Sequence, residues 1–539
     1  MIYTLISLLW IVASIPYMIF AVMRLASDLH MMQQNIYQND RYVTWLKGNG
    51  KKHYHDFLAF LAVIPLMLFD SFAGEMVALL LWVMIYVLFI RGREKVHSKN
   101  PLVFTERATR LYIAALAVYF IPTIALLFLG VANAGASPIA RGICLALVAV
   151  EPFLSPVFLL IANTFMQPYE EHKKADYFHD AKEILASQQD LIKIAITGSF
   201  GKTSVKHILN RMLEEKYYTL MPPGSYSTAM GITRVIREQL RPIHQVFVTE
   251  MGAKHKGDIA ELCDLVAPKY GMITALGEEH MDTFGSFDTI VETKFEMVDA
   301  MSVDDVVVLN FDDPVIRANA HRAKGTVITY GIHGTDLDFW AEKIRYTDRG
   351  MEFVLHSKSG AAIELRTRLL GEHNVQNIVG AAAMANCLGV NYKQIKRAVS
   401  SVSPVEHRLE LKTNANGLHI IDDAYGSHPL GVTAAMDVLK KIEGGKKFLI
   451  TPGMLGDEET EYEKNKKFGA SAAEICDYIA LVETRCTEAL KEGILETGFP
   501  EDHLFVGADL AAANNYVFGK AEKGDYVLYE NDMSAGYGE

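Results

Sequence analysis

Cysteine is scarce in this 539-residue chain: Cys144, Cys263, Cys387, Cys476 and Cys486 stand far apart with no paired spacing. That excludes a disulfide framework and a clustered zinc site, and it suits a reducing compartment. Basic charge is also short. The 52 Lys and Arg against 64 Asp and Glu leave a formal net charge of -12, which argues against nucleic acid as a partner. No basic residue precedes the first apolar run and no small-residue cleavage site follows it, so the run reads as a membrane span rather than a signal peptide. One glycine is missing as well. The run "IAITGSFGKTSVKHIL", Ile194 to Leu209, looks like a phosphate cradle, but the common P-loop places a glycine five positions ahead of its Gly-Lys pair and Ile196 stands there.

Long apolar runs are present and unevenly placed. The chain is too long for one core, and about two to four domains are expected. Apolar segments run from Ile2 to Met23, Phe57 to Phe72, Met76 to Ile90, Leu111 to Ala132 and Gly142 to Phe165. We read them as about five spans, the second and third as a tight hairpin, against a hydrocarbon core of ~30 Å. Arg24, Arg41, Lys47, Lys51 and Lys52 follow the first span, and Arg91, Arg93, Lys95, Lys99, Arg107 and Arg110 follow the third. The positive-inside rule then puts the first terminus outside and everything after Gln167 in the cytoplasm of a multi-pass membrane protein. Glu151, inside the fifth span beside Pro152 and Pro156, is either a functional intramembrane acid or a polar group satisfied by neighbours at a kink.

The expected architecture is a helical membrane domain (residues 1–166), a linker (167–190), a central α/β P-loop ATPase domain with a parallel sheet (191–403) and a Rossmann-like α/β domain (404–539). Strands are expected at Ile192 to Ile196, Gln245 to Thr249, Tyr270 to Ala275, Asp305 to Leu309 and Thr326 to Tyr330. Ligands gather beyond the carboxyl ends of such strands. There the chain has Gly198 to Ser204, then Glu250, then "GEEHMD" with His280, then Asn310 with Asp312 and Asp313. A strand-rich stretch, 336 to 370, precedes a second βα series that starts at "HIIDDAYGSHP".

In the loop, Gly198, Ser199 and Gly201 let backbone N–H groups approach phosphate at a helix N-terminus. Lys202 neutralises the outer phosphates, and the Thr203 and Ser204 hydroxyls stand beside it, Thr203 placed to reach Mg²⁺. Read by chemistry alone, His280 is a core or substrate-contacting histidine, because Mg²⁺ prefers oxygen. Lys294, beside Glu292 and Glu296, reads as a surface salt bridge. Asn374 lies at a helix-capping "HN", and Asp423 at a strand end and turn.

Taken in order, these motifs resemble those of the Mur ligase family over about residues 190 to 539. "TGSFGKTS" is similar to its shortened phosphate loop, "SYSTAMGIT" to its asparagine-threonine segment, "VTEMG" to its magnesium glutamate, "GEEHMDTFGS" to its histidine loop and "ETKFEM" to its modified-lysine segment. "GEHNVQN", "EHRLE" and "DDAYGSHP" are similar to its adenine, arginine and ribose motifs. Within the family the D-alanyl-D-alanine-adding, MurF-like branch matches best. The resemblance implies ATP and two Mg²⁺, with Thr203, Glu250, His280 and a carbamylated Lys294 as metal ligands, and Lys202, His280 and Lys294 as the catalytic set. It further implies Asn374 and Asn377 on the adenine, Arg408 on phosphates, Asp423 on the ribose and Thr228 on substrate.

The implied reaction joins a carboxylate acceptor to the amine of an amino acid or dipeptide through an acyl phosphate, with closure about a hinge at Ser403 to Glu406. The membrane part stands where family members carry a uridine-diphosphate-sugar domain, so a lipid-linked or membrane-presented acceptor is expected, with membrane lipid as a further partner. Ser227 replaces the usual asparagine. A polyglutamate or cyanophycin-like ligase, or a membrane protein with a regulatory ATP-binding module, remain as alternatives.

Overall fold

A computed structural model describes residues 2–49, 58–65, 71–92, 101–132, 138–224, 226–334, 336–404, 407–424, 429–454 and 458–530. The chain divides into two units, Met1–Asp176 and Tyr177–Glu539.

The first unit is helical: α1 (Ile2–Gln34), α2 (Asn39–Asn49), α3 (Phe72–Arg91), α4 (Glu106–Ala132), α5 (Pro138–Val150), a 3-10 turn (Glu151–Leu154) and α6 (Ser155–Ser187). Four stretches are long and apolar enough to cross a membrane: Leu8–Gln34, Phe72–Arg91, Glu106–Leu129 and Gly142–Ser187. The expected span from Phe57 to Phe72 lies partly outside the described residues, and 58–62 of it form a 3-10 turn. Glu151 is satisfied inside this unit. Its Oε2 accepts from Tyr17 Oη at 2.9 Å and from Thr123 Oγ1 at 2.5 Å, and Tyr17 Oη lies 2.9 Å from Tyr119 Oη. Much of the stretch expected to be a linker, 167–190, is instead the polar half of α6.

The second unit holds two sheets. The first runs β2-β3-β1-β4-β5-β6-β7-β8-β9, with β1 (Ile192–Thr197), β2 (Thr219–Leu220), β3 (Val246–Glu250), β4 (Tyr270–Ile273), β5 (Val306–Asn310), β6 (Thr326–Gly331), β7 (Phe339–Thr347), β8 (Gly350–Ser357) and β9 (Ala362–Thr367). Neighbours are parallel from β2 to β7, and β7, β8 and β9 then pair antiparallel. Helices cover both faces of the parallel part, so its strands are apolar throughout. Ile194 and Ile196 of β1 pack into one core and Ala195 into the other, as period-2 alternation requires.

The helices that frame the site are α7 (Lys202–Leu213), α8 (Ala229–Gln239), α9 (Asp258–Val266), α10 (Met281–Phe284), α11 (Phe287–Ala300), α12 (Pro314–Asn319) and α13 (Glu372–Cys387). The second sheet runs β10-β11-β15-β12-β13-β14, with β10 (Glu410–Thr413), β11 (His419–Asp423), β12 (Lys447–Thr451), β13 (Tyr478–Val482), β14 (Leu504–Gly507) and β15 (Tyr526–Glu530). Only β10 is antiparallel to its neighbour. The five strands expected in the central sheet and the second βα series are present. The short β2 and the charged β10 were not anticipated, because neither carries an apolar alternation.

Candidate nucleotide and metal site

The phosphate loop is the turn from β1 into α7, and two left-handed glycines shape it. Gly198 has φ 142°, and a Cβ there would collide with Thr274 Oγ1 and the Ala275 carbonyl. Gly201, φ 81°, is the N-cap of α7, and its Cβ would sit 2.9 Å from Asn377 Oδ1. Both positions thus exclude a side chain by conformation and by space. Lys202 folds back over the turn, donating to the Gly198 and Ser199 carbonyls at 2.6 and 2.9 Å. Its amine is brought down to about 8, first by burial and then by the nearby charge of Lys294.

Thr203 Oγ1 donates to Glu250 Oε2 at 2.7 Å, and Glu250 is fully buried at the end of β3. The other Glu250 oxygen lies 3.4 Å from Nζ of Lys206, a fully buried lysine. Lys206 also donates to the Pro222 carbonyl at 2.9 Å and to that of Gly224. Sequence reasoning missed Lys206. Its one available signal was a second cation one helical turn after Lys202, on the same face of α7.

A cavity of about 700 Å³ opens over the loop. Ser199, Gly201, Lys202, Thr203 and Ser204 line it together with Asn374, Asn377, Arg408 and Asp423. Nine expected site residues therefore share one space, of a size suited to a small-molecule ligand. Arg408 sits between His407 (φ 59°) and Leu409 (φ 45°), two left-handed non-glycine residues just beyond the expected hinge; of that hinge, residues 405 and 406 lie outside the described residues. Asp423 Oδ1 accepts from Leu409 N at 2.9 Å. Burial raises its carboxyl to about 6, against the opposing pull of that N–H and of Arg408. Asn374 donates to the Leu370 carbonyl at 2.7 Å, so part of its amide serves the start of α13. The tail of "DDAYGSHP", residues 425–428, lies outside the described residues.

Other expectations change. Thr228 is the N-cap of α8, accepting from Gly231 N at 3.3 Å, and the cavity wall does not include it. His280 is exposed in a left-handed conformation (φ 47°) ahead of α10. Among the described residues no three His, Cys, Asp or Glu converge as a metal cluster. Asp312 accepts from the Ile332 and His333 amides and from Gln376, while Asp313 caps α12 and accepts from Leu276 N. The fourth strand end is thus structural rather than phosphate chemistry.

Lys294 is not a surface charge. Its side chain is fully buried, and Nζ lies 2.6 Å from Glu279 Oε1. Glu292 pairs with Arg322, and Glu296 accepts from the Gly257 and Ala260 amides at the start of α9. Residues two apart on a helix point to opposite sides, which is why neither neighbouring acid reaches the lysine. An amine paired with a carboxylate lends no support to carbamylation. Glu279, unremarked in the sequence beside His280, is the partner.

Residues 196–385 match the Mur ligase middle domain, and residues 407–529 match the Mur ligase, glutamate ligase domain. The UDP-N-acetylmuramoyl-tripeptide--D-alanyl-D-alanine ligase of Bacillus subtilis is 30% identical over 343 residues, covering 62% of this chain and 72% of the relative. The enzyme of the same name from Mycobacterium bovis is 33% identical over 248 residues, covering 46% of this chain. This chain spans about half the length of that relative, 48%. A crystal structure of MurF from Acinetobacter baumannii is similar with a TM-score of 0.59 and 26% identity, covering 67% of this chain and 78% of that one. With its middle and glutamate ligase domains in order and their phosphate loop intact, the chain belongs to the Mur ligase family.

Proposed function

We propose that this protein is an ATP-dependent, ADP-forming ligase of the MurF-like branch that makes an amide bond in cell-wall peptide precursor synthesis. The observation that carries this reading is the single cavity lined by the phosphate loop, by Asn374 and Asn377 at the start of α13, and by Arg408 and Asp423 of the glutamate ligase domain.

ATP fits that lining by class of group. Loop amides and Lys202 face phosphate, Arg408 adds a second cation, and Asp423 offers an acceptor for ribose hydroxyls. Thr203 and Glu250 would hold Mg²⁺: they are an oxygen pair already in mutual contact, the donor type this ion prefers. The ion supplies charge neutralisation on the phosphates. Lys206 holds the remote oxygen of Glu250 and fixes which oxygen faces Thr203.

A carboxylate oxygen of the acceptor attacks the γ-phosphorus and ADP leaves. The amine nitrogen of the second substrate then attacks the acyl carbon, inorganic phosphate departs, and one proton passes to solvent. This chain orients the groups and stabilises charge more than it forms bonds. The curated relatives' names specify a UDP-linked muramoyl tripeptide and D-alanyl-D-alanine, and these are the first substrates to try. The four long apolar stretches favour a membrane-presented form of the acceptor as a second reading.

The test uses the full chain in detergent with ATP, D-alanyl-D-alanine and the UDP-linked or lipid-linked tripeptide, following ADP release and the mass of the amide product. Product and ADP are expected together, and ADP release without either substrate would point to a regulatory ATPase instead. Lys202→Ala should lower turnover by more than 100-fold, roughly the worth of one charge at the transferring phosphate. Activity within about tenfold of the parent would sink the phosphate-loop assignment.

A further inference from the structure

Asp423 and Glu530 end the neighbouring parallel strands β11 and β15, in register with each other. Residues so paired project to the same face of a sheet, and here the two carboxyl groups are hydrogen-bonded to one another. Asp423 lines the nucleotide cavity, and its Oδ1 also takes the Leu409 N–H. Glu530 stands behind it, only 1% exposed. Among the described residues no N–H and no hydroxyl reaches either Glu530 oxygen. A carboxylate brings no donor of its own, so a bond between two carboxyls needs a proton on one of them.

The surroundings decide which. Arg408 and the Leu409 N–H favour charge on Asp423, whereas Glu530 meets only burial and Asp423 itself. Asp422 and Tyr529, one residue back on each strand, project to the opposite face, where His407 and Lys412 pair with Asp422. On the other side of β15, β12 sets Ile450 against Tyr529. The helix Pro429–Lys441 packs on β15 and carries Asp437, Lys440 and Lys441, none of which acts on Glu530.

We propose that Glu530 is a neutral acid at neutral pH whose O–H donates to Asp423, and that it thereby positions the Asp423 carboxylate as the cavity's acceptor for nucleotide hydroxyls. Two anions in contact in a dry place oppose each other, while an acid and a carboxylate make a short, strong bond. An apolar setting can keep a carboxylic acid neutral so that it serves as a donor. With the Leu409 N–H and the Glu530 O–H taken, the lone pairs left on Asp423 are free for a ligand.

The role in binding rests on the nucleotide-site reading given above, but the proton can be read without nucleotide. Infrared difference spectra of the full-length protein in detergent at pH 7, parent minus Glu530→Gln, should show the carbonyl band of a protonated carboxylic acid. Carboxylate bands in its place overturn the proposal.

Calorimetric titration with ATP between pH 5 and 8 then reads the positioning. Glu530→Gln, whose amide N–H can donate as the acid does, should keep the parent's affinity at pH 7 and its acid midpoint. Glu530→Leu has no donor. It should bind ATP about tenfold more weakly at pH 7, the worth of one hydrogen bond to a charged acceptor, with the midpoint moved up by about one pH unit. Glu530→Met takes its place if the Leu variant does not fold. A Gln midpoint moved down would mean that Glu530 is charged in the parent, and it overturns the proposal. So does an apolar variant that matches the parent, or one weakened equally at every pH, which marks a loss of packing. Failure of the parent to bind ATP would instead refute the nucleotide-site reading and leave the infrared result to stand by itself.

Discussion

Asp423 concentrates the electrostatic conflict of the cavity into one carboxyl. Burial raises it to about 6, and Asp422 pushes the same way, while the Leu409 N–H, Arg408 and the Glu530 side chain pull it down. Its strand neighbour Glu530, at the paired position on β15, is buried and also raised. Because the folded carboxyl sits above its ordinary value, the fold favours the protonated form. That contribution is present at low pH and is lost as pH rises through about 6. Ligand binding has the opposite sign, since an ionised carboxylate is the better acceptor for ribose hydroxyls. ATP affinity should therefore fall as pH drops through about 6, read by calorimetric titration between pH 5 and 8. Asp423→Asn should bind ATP weakly at every pH and melt at a higher temperature than the parent at pH 8. A parent affinity flat across that range would remove Asp423 from the ribose site. At this scale the legible residues were those whose role is written in local chain geometry: Gly198, Gly201, Lys202 and Thr203 follow from a strand, a tight turn and a helix start. Lys206 and Glu279 were not legible, because a charged residue buried by a distant partner reads in sequence as one more solvated charge.

Among the elements, α8 offers the clearest separation of structure from chemistry. Thr228 caps it, and Oγ1 accepts from the third residue on, as N-cap hydroxyls do. Thr228→Ala should destabilise the region by about 1 kcal/mol, and Thr228→Ser by much less, with faster amide exchange confined to the first turn of α8. Loss of ligase turnover without that change in exchange would return Thr228 to the substrate role. The parallel strands were legible because each is an apolar β-branched run followed by a polar release, as in "VVVLN" for β5. The stretch 167–190 read as a linker because its polarity was taken for irregularity, although Ala181 and Leu185, four apart on one helix face, are buried in a core with Phe178 and Ile184 packed against it. Thr228 and Asp313 show the same ambiguity at element ends, where a residue able to bind a ligand is equally able to cap a helix.

For the whole molecule, the open question of orientation belongs to the first unit. The clustering of Arg and Lys after the first and third apolar runs argues for a cytoplasmic glutamate ligase domain. In intact cells a membrane-impermeant thiol reagent should label a cysteine introduced at Gly135 but not one at Lys51, scored against the parent's five native cysteines. Labelling in the reverse pattern would invert the topology and separate the nucleotide site from cytoplasmic ATP. The first sheet ends on β2, only two residues long, paired to Val246 and Phe247. Sheets with long bare margins recruit strands from other copies and aggregate, and a truncated margin is one of the ways proteins prevent it. Copies at high concentration meet constantly, so this stub of a strand favours solubility during crowding: lengthening it with alternating valines should turn a well-behaved preparation into one that self-associates.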